Sequence, residues 1–143
     1  MEPLIVEFDV DASVEHAFDV WTAQPSIWWP PSHTITKDAE AEIVFERFVG
    51  GRVYERGSDG EEHDWGEILE WKPPERLSYM WHLFFARSEA TEVAVTFTDT
   101  GARTSVRIEQ TGFERLGEPA GTERRTRTEL AWTSIARIYA DAL

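Results

Sequence analysis

Apolar and polar residues alternate at the start of the chain. Leu4, Val6, Phe8 and Val10 fall on one face of an extended segment, and Glu7 and Asp9 on the other. This is the pattern of a half-buried strand over residues 4–10. Asp11-Ala12-Ser13 interrupts it, with Ser13 placed to cap a helix and Glu15 in a first turn that favours negative charge. Val14, Ala17, Phe18 and Trp21 then recur at helical spacing. Pro25 can open a second short helix through Ile27-Trp28-Trp29, and Pro30-Pro31 must end it. Two adjacent Trp on such a turn cannot both face inward, so at least one is expected at a rim.

From Ala41 to Thr111 the pattern is that of strands. The expected runs are 42–47, 52–56, 63–71, 77–85, 91–98 and 103–111. Gly50-Gly51, Gly57-Ser58-Asp59-Gly60, Lys72-Pro73-Pro74 and Asp99-Thr100-Gly101 separate them, as turn chemistry requires. With the first segment this makes about seven strands, mostly joined by short turns, which predicts a meandering antiparallel sheet. Residues 112–121 read as loop. Beyond Thr122, a plausible N-cap, no Gly or Pro occurs, and Thr128, Ala131, Ile135, Ile138 and Ala142 recur at spacings of 3, 4, 3 and 4. Trp132 and Tyr139 flank that stripe. A helix of about 20 residues would span ~30 Å, enough to cross a small sheet. The fold class is therefore α+β, with one sheet face buried against helices.

Composition narrows the partners. The chain has 143 residues and a net charge of −13, which removes the electrostatic attraction to phosphate backbones and argues against nucleic acid. Arg124, Arg125 and Arg127 form the one basic cluster and read, beside Glu123 and Glu129, as a solvated helix face. No apolar run is long enough to span a membrane, and no leader is visible, so a cytoplasmic location is expected. The absence of Cys excludes disulfides, thiolate metal sites and a Cys nucleophile. The length predicts a single domain over residues 1–143.

Several stretches resemble a known family. Val10–Phe18 looks like the opening of the START-like superfamily, also called SRPBCC or birch-pollen-allergen-like. Ile27-Trp28-Trp29-Pro30, Gly50-Gly51, the segment Gly66–Leu77 with its Pro-Pro-Glu-Arg-Leu, and Ala131-Trp132 resemble the branch named after the activator of the heat-shock-protein ATPase. A Gly usually stands where this chain has Ala131, which closes space beside the last helix. The resemblance implies a helix-grip fold, in which a seven-stranded antiparallel sheet wraps a long C-terminal helix with two short helices after the first strand. It also implies a cavity for small hydrophobic molecules such as lipids, polyketides or flavonoids. It does not imply one activity.

Catalytic motifs are absent. The four His lack metalloprotease spacing, and Glu61-Glu62-His63-Asp64 reads as a solvated hairpin rim rather than a metal site. Gly57-Ser58-Asp59-Gly60 is a turn, and Gly50-Gly51 lacks the helix a phosphate-binding loop needs. No catalytic residue, metal or cofactor is expected. Glu67 and Glu70 fall on opposite faces of an unbroken strand, and Trp65, Leu69 and Trp71 share one.

The aromatic inventory carries the functional expectation, since seven Trp in a chain this short supply large flat surfaces. The expected ligand-binding set is Trp28, Trp29, Phe45, Val53, Trp65, Tyr79, Trp81, His82, Val95, Trp132, Ile135 and Tyr139, with Arg47 and Glu67 as further polar candidates. The first expectation is a non-catalytic domain binding a small hydrophobic or aromatic molecule between sheet and helix. The second is a cyclase- or hydrolase-type enzyme using the same cavity, with His82 as its acid or base, although a His bound into the core or surface is the commoner case. A module that stimulates a chaperone ATPase, in keeping with a stress-response role, ranks last, because such co-chaperones usually carry a further segment. A homodimer is compatible with all three.

Overall fold

Seven strands form one antiparallel sheet in the computed structural model, which describes residues 1–143. The elements are β1 (Leu4–Val10), α1 (Val14–Ala23), β2 (Glu42–Phe45), β3 (Arg52–Arg56), β4 (Glu62–Lys72), β5 (Arg76–Trp81), β6 (Thr91–Asp99), β7 (Thr104–Thr111) and α2 (Ala120–Asp141). Strand order is β1-β7-β6-β5-β4-β3-β2, so the first two strands occupy opposite edges. Helix α1 and residues 24–41 carry the chain between those edges. This is the helix-grip arrangement, with α2 lying along the concave face.

Local chemistry explains most of the boundaries. Ser13 Oγ accepts the His16 N–H at 3.1 Å and caps α1, which buries Ala17, Phe18, Val20, Trp21 and Thr22. The expected short helix after Pro25 is a single 3₁₀ turn, Pro25–Ile27, followed by a second at Pro31–His33. Helix α2 begins at Ala120, two residues before the expected cap, with Pro119 at its N-cap. The run expected to continue to Phe85 ends at Trp81, where the chain leaves the sheet in a turn closed by Phe85 N–H to His82 O at 2.7 Å. Phe84 in that turn has φ +71°, a left-handed conformation an extended strand excludes.

Strand β4 departs from simple alternation. Register shifts against β3 between Val53 and Tyr54, and against β5 between Ile68 and Glu70. Each inserts an extra residue and reverses the in–out parity of the residues beyond it. Trp65 and Ile68 are therefore fully buried, and Leu69 is turned out at 39% exposure, contrary to its expected place beside Trp65 and Trp71. The same bulge puts Glu67 and Glu70 both on the outer face, where they pair with Arg87 and Arg76. Gly66 sits between these shifts. A Cβ there would lie 1.8 Å from Met80 O, so only glycine lets the two backbones approach.

Under the sheet, a core of 26 residues joins α1, α2 and the inner strand faces. Tyr139 OH donates to Ala17 O at 2.6 Å and ties the end of α2 to α1. Trp21 packs on Trp28 and on Tyr139 with ring centres 4.7 Å and 4.9 Å apart. No helix is long and apolar enough to cross a membrane.

Candidate functional site

The space beneath α2 is divided. Beneath its C-terminal half, Trp21, Trp28 and Tyr139 fill the interior. Toward its N-terminal half a cavity of about 330 Å³ opens to the surface. That cavity lies at the bottom of the range of about 300–1,000 Å³ usual for small-molecule sites.

Three indoles form its inner corner. Trp29 stands 5.5 Å from Trp81 and 6.1 Å from Trp132, centre to centre, at interplanar angles of 68° and 82°. Trp29 arrives on the turn after Pro25, held by its N–H to Pro25 O at 2.9 Å and by Nε1 donating to His33 O at 2.9 Å. Both it and Trp28 are buried, so the expected rim position is a cavity wall rather than an exposed ring. Trp81 comes from the inner face of β5. Helix α2 contributes Arg124, Arg127, Thr128, Ala131, Trp132 and Ile135. These positions fall on one helical face, because residues three and four apart are neighbours. Leu83, Phe84 and Phe85, from the turn after β5, form the outer wall.

Polar groups are few and fixed. Gln110, fully buried on β7, accepts Trp132 Nε1–H on Oε1 at 2.7 Å and donates from Nε2 to Thr91 Oγ1 at 2.9 Å. An indole N–H can only donate, which sets the orientation of the amide. Arg124 is 4% exposed; its Nη1 donates to Glu89 O at 2.6 Å and its guanidinium lies 3.7 Å from the centre of the Phe85 ring. Burial pushes the Arg124 guanidinium down to about 10, so it stays cationic at neutral pH. His33 faces the cavity, and burial, with Lys37 nearby, holds its imidazole below the ordinary 6.5. The ring is therefore neutral at pH 7.

The 28–37 segment, which carries Trp29 and His33, is clamped by one side chain. Glu55 on β3 has no solvent exposure, yet its carboxylate accepts Ile35 N–H at 2.6 Å, Thr36 N–H at 3.2 Å, Thr36 Oγ1–H at 2.9 Å and Trp65 Nε1–H at 3.0 Å. Burial alone raises this carboxyl, but the donors from Ile35, Thr36 and Trp65 outweigh it and hold it below its ordinary value. At the mouth, Lys37 and Phe84 are the two non-glycine residues with positive φ, and Lys37 Nζ lies 4.8 Å above the Phe84 ring.

Of the sequence-predicted set, Trp29, Trp81, Trp132 and Ile135 line the cavity together. Trp28, Phe45, Val53, Trp65, Tyr79, Val95 and Tyr139 are buried in the core instead, where neighbouring side chains fill the space around them. His82 follows Trp81 and so points to the opposite face of the sheet. Its Nε2 lies 3.1 Å from Asp64 Oδ2 and its Nδ1 3.3 Å from Phe85 O, which removes it as an acid or base inside the cavity. Arg47 is exposed, 4.0 Å from Asp19, and Glu67 is on the outer face, so neither reaches the cavity. Arg124, expected on a solvated helix face, is buried. Extending the 128–131–135 stripe one turn toward the N-terminus reaches it; Gln110 and His33 carry no comparable signal.

The family model described as activator of Hsp90 ATPase homolog 1-like protein matches residues 11–139. Among solved structures, the anthrahydroquino-γ-pyrone synthase Txn09 is 35% identical, with a TM-score of 0.66 over 100% of this chain and 97% of that one. The Aha1 dimer of Colwellia psychrerythraea has a TM-score of 0.73 at 16% identity, covering 100% of this chain and 96% of that one. A protein of Mesorhizobium loti has a TM-score of 0.72 at 22% identity, covering 99% and 96%. No curated protein matches the sequence.

Proposed function

The chain belongs to the family of activator of Hsp90 ATPase homolog 1-like proteins, and on that premise we propose that it binds a planar, oxygen-bearing aromatic molecule of polyketide type in the cavity under α2. The observation that carries this reading is the corner of Trp29, Trp81 and Trp132, with Gln110 and Arg124 beside it. Flat rings gain from contact with indole faces and edges, and the two polar side chains can orient a carbonyl or enol oxygen. The filled space around Trp21, Trp28 and Tyr139 favours a compact polycycle over a long acyl chain. Likeness to Txn09 along the full length supports the same class.

Titration with an anthraquinone should raise the melting temperature, with about 2.7 kcal/mol of stabilisation at 100 times Kd. Ala131→Phe, which places a ring in the cavity, should abolish that shift while the protein stays folded. An unchanged shift in A131F would mean that the ligand sits elsewhere.

A ring-closing activity is the second reading, favoured by a neutral imidazole at His33 in the same cavity as a buried guanidinium. An ortho-hydroxyaryl 1,3-diketone closes to a γ-pyrone when the phenol oxygen adds to the distal carbonyl and water leaves. His33 would take the phenol proton, and Arg124 would stabilise the oxyanion formed at the carbonyl. The expected result is protein-dependent pyrone formation, followed by absorbance, that falls about 100-fold in His33→Gln. Equal rates with and without protein would leave binding alone.

A further inference from the structure

The charges lining the cavity run against the balance of the chain. The chain carries 27 acidic residues against 14 basic ones; every arginine from Arg47 to Arg115 has a carboxylate within 4.0 Å, and the four on α2, Arg124, Arg125, Arg127 and Arg137, have none. Two of those four face the cavity. Its lining contains no Asp or Glu, and it contains both Arg124 and Arg127. Neither has a carboxylate within ion-pair distance, although Glu89 is close by. Glu89 directs Oε1 to Ala86 N–H at 3.1 Å; it hydrogen-bonds Arg124 only through its backbone carbonyl, and its carboxylate, from beyond ion-pair distance, offsets only part of what burial does to the guanidinium.

A buried guanidinium without a directly paired counter-ion is costly, because close attraction to an opposite charge normally offsets lost hydration. Arg124 has one carbonyl and one aromatic face in place of a carboxylate. Arg127, one turn along the same face, is exposed at the mouth, and its guanidinium makes no hydrogen bond within the protein. The two guanidiniums thus present open N–H donors at one end of a cavity whose other end is indole and Ile135. Gln110 adds a donor, since Nε2 has one acceptor, Thr91, for two hydrogens.

We propose that the cavity selects anionic aromatics: the ligand's rings lie against Trp29, Trp81 and Trp132, and a carboxylate or comparably acidic oxygen on its edge is held by Arg124 and Arg127. This deepens the binding reading above and rests on it. Guanidinium groups suit such an oxygen pair because their donors form a planar fork. The negative charge missing from the lining is the charge the ligand brings.

The experiment is calorimetric titration of the full chain with anthraquinone-2-carboxylate and with its methyl ester, which keeps the rings and removes the charge. The acid should bind at least about 10-fold tighter than the ester, the worth of one charge-assisted contact. Arg127→Gln should shrink that preference to less than about 3-fold, weakening the acid far more than the ester. Arg127 is the informative variant, because Arg124 also braces residues 85–89 and its loss could unfold them. Equal affinities for acid and ester would overturn the anion preference and leave the binding reading standing. A preference of full size in R127Q would overturn the shared assignment, because Arg127 would then hold no part of the anion. Failure of both compounds to bind would overturn the binding reading and this inference with it.

Discussion

Replacing Glu55 with Ala is expected to destabilise the protein by about 3–5 kcal/mol, measured by denaturant unfolding. The variant removes the acceptor for two backbone N–H groups, the Thr36 hydroxyl and the Trp65 indole, and the last of these is buried. Each donor left unpaired costs about 1–3 kcal/mol, whereas water can recover those nearer the surface. Glu55→Gln keeps one acceptor oxygen and should lose about half as much. Because residues 28–37 also carry Trp29 and His33, ligand affinity should fall along with stability.

The same carboxylate makes a pH prediction. Its folded-state pKa lies below the ordinary 4.5, so its stabilisation is fully present above that value and disappears as pH falls through the folded pKa. Between pH 6 and pH 3 the parent should therefore lose more stability than E55Q. If E55A stays within about 1 kcal/mol of the parent, the clamp contributes nothing of note.

Trp132→Ala should also cost about 3–5 kcal/mol, as for other buried aromatic truncations, and should eliminate ligand binding. Trp132 supplies a wall of the cavity, stacks near Trp21 at 6.0 Å, and satisfies Gln110. Trp132→Phe separates these roles, since it keeps a ring but leaves Gln110 Oε1 buried without a donor. Adding Gln110→Leu to W132F should recover about 1 kcal/mol, because removing both partners avoids the unpaired group. Additive losses in that double variant would show that the indole acts through packing alone.

The sequence disclosed much of the fold because its information is local and periodic. Alternation in Leu4–Val10 and in the later runs, with turn residues between them, needs only the repeat of an extended chain to be read. The stripe on α2 likewise needs only helical spacing. Where a run could be extended or turn, as at His82–Phe85, local pattern misled, because the left-handed Phe84 depends on a tertiary setting. Leu69 misled for a related reason: it is the extra residue of a bulge set by pairing with β5, and so leaves the face that Trp65 and Trp71 still share.

The candidate site was legible only in part. Trp29, Trp81, Trp132 and Ile135, which line the cavity, stood in the expected set because large aromatic and apolar residues near predicted inner faces and rims are few enough to count. The same criterion also gathered Trp28, Trp65 and Tyr139, and no pattern separates a ring that lines space from one that fills it. That distinction depends on volumes contributed by elements far apart in the chain. Burial of Arg124, the clamp at Glu55 and the amide at Gln110 are likewise products of long-range placement, with partners 35, 20 and 22 residues away.

By itself, the sequence determined an acidic α+β chain with an antiparallel sheet, a long final helix and an unusual store of indoles, since composition and periodicity are properties of the chain alone. Only the tertiary structure decided where the room lies, that it is edged by arginines without carboxylates, and that His82 faces away from it. Those outcomes rest on distances between segments, and a distance across the fold exists only once the chain has closed around its core.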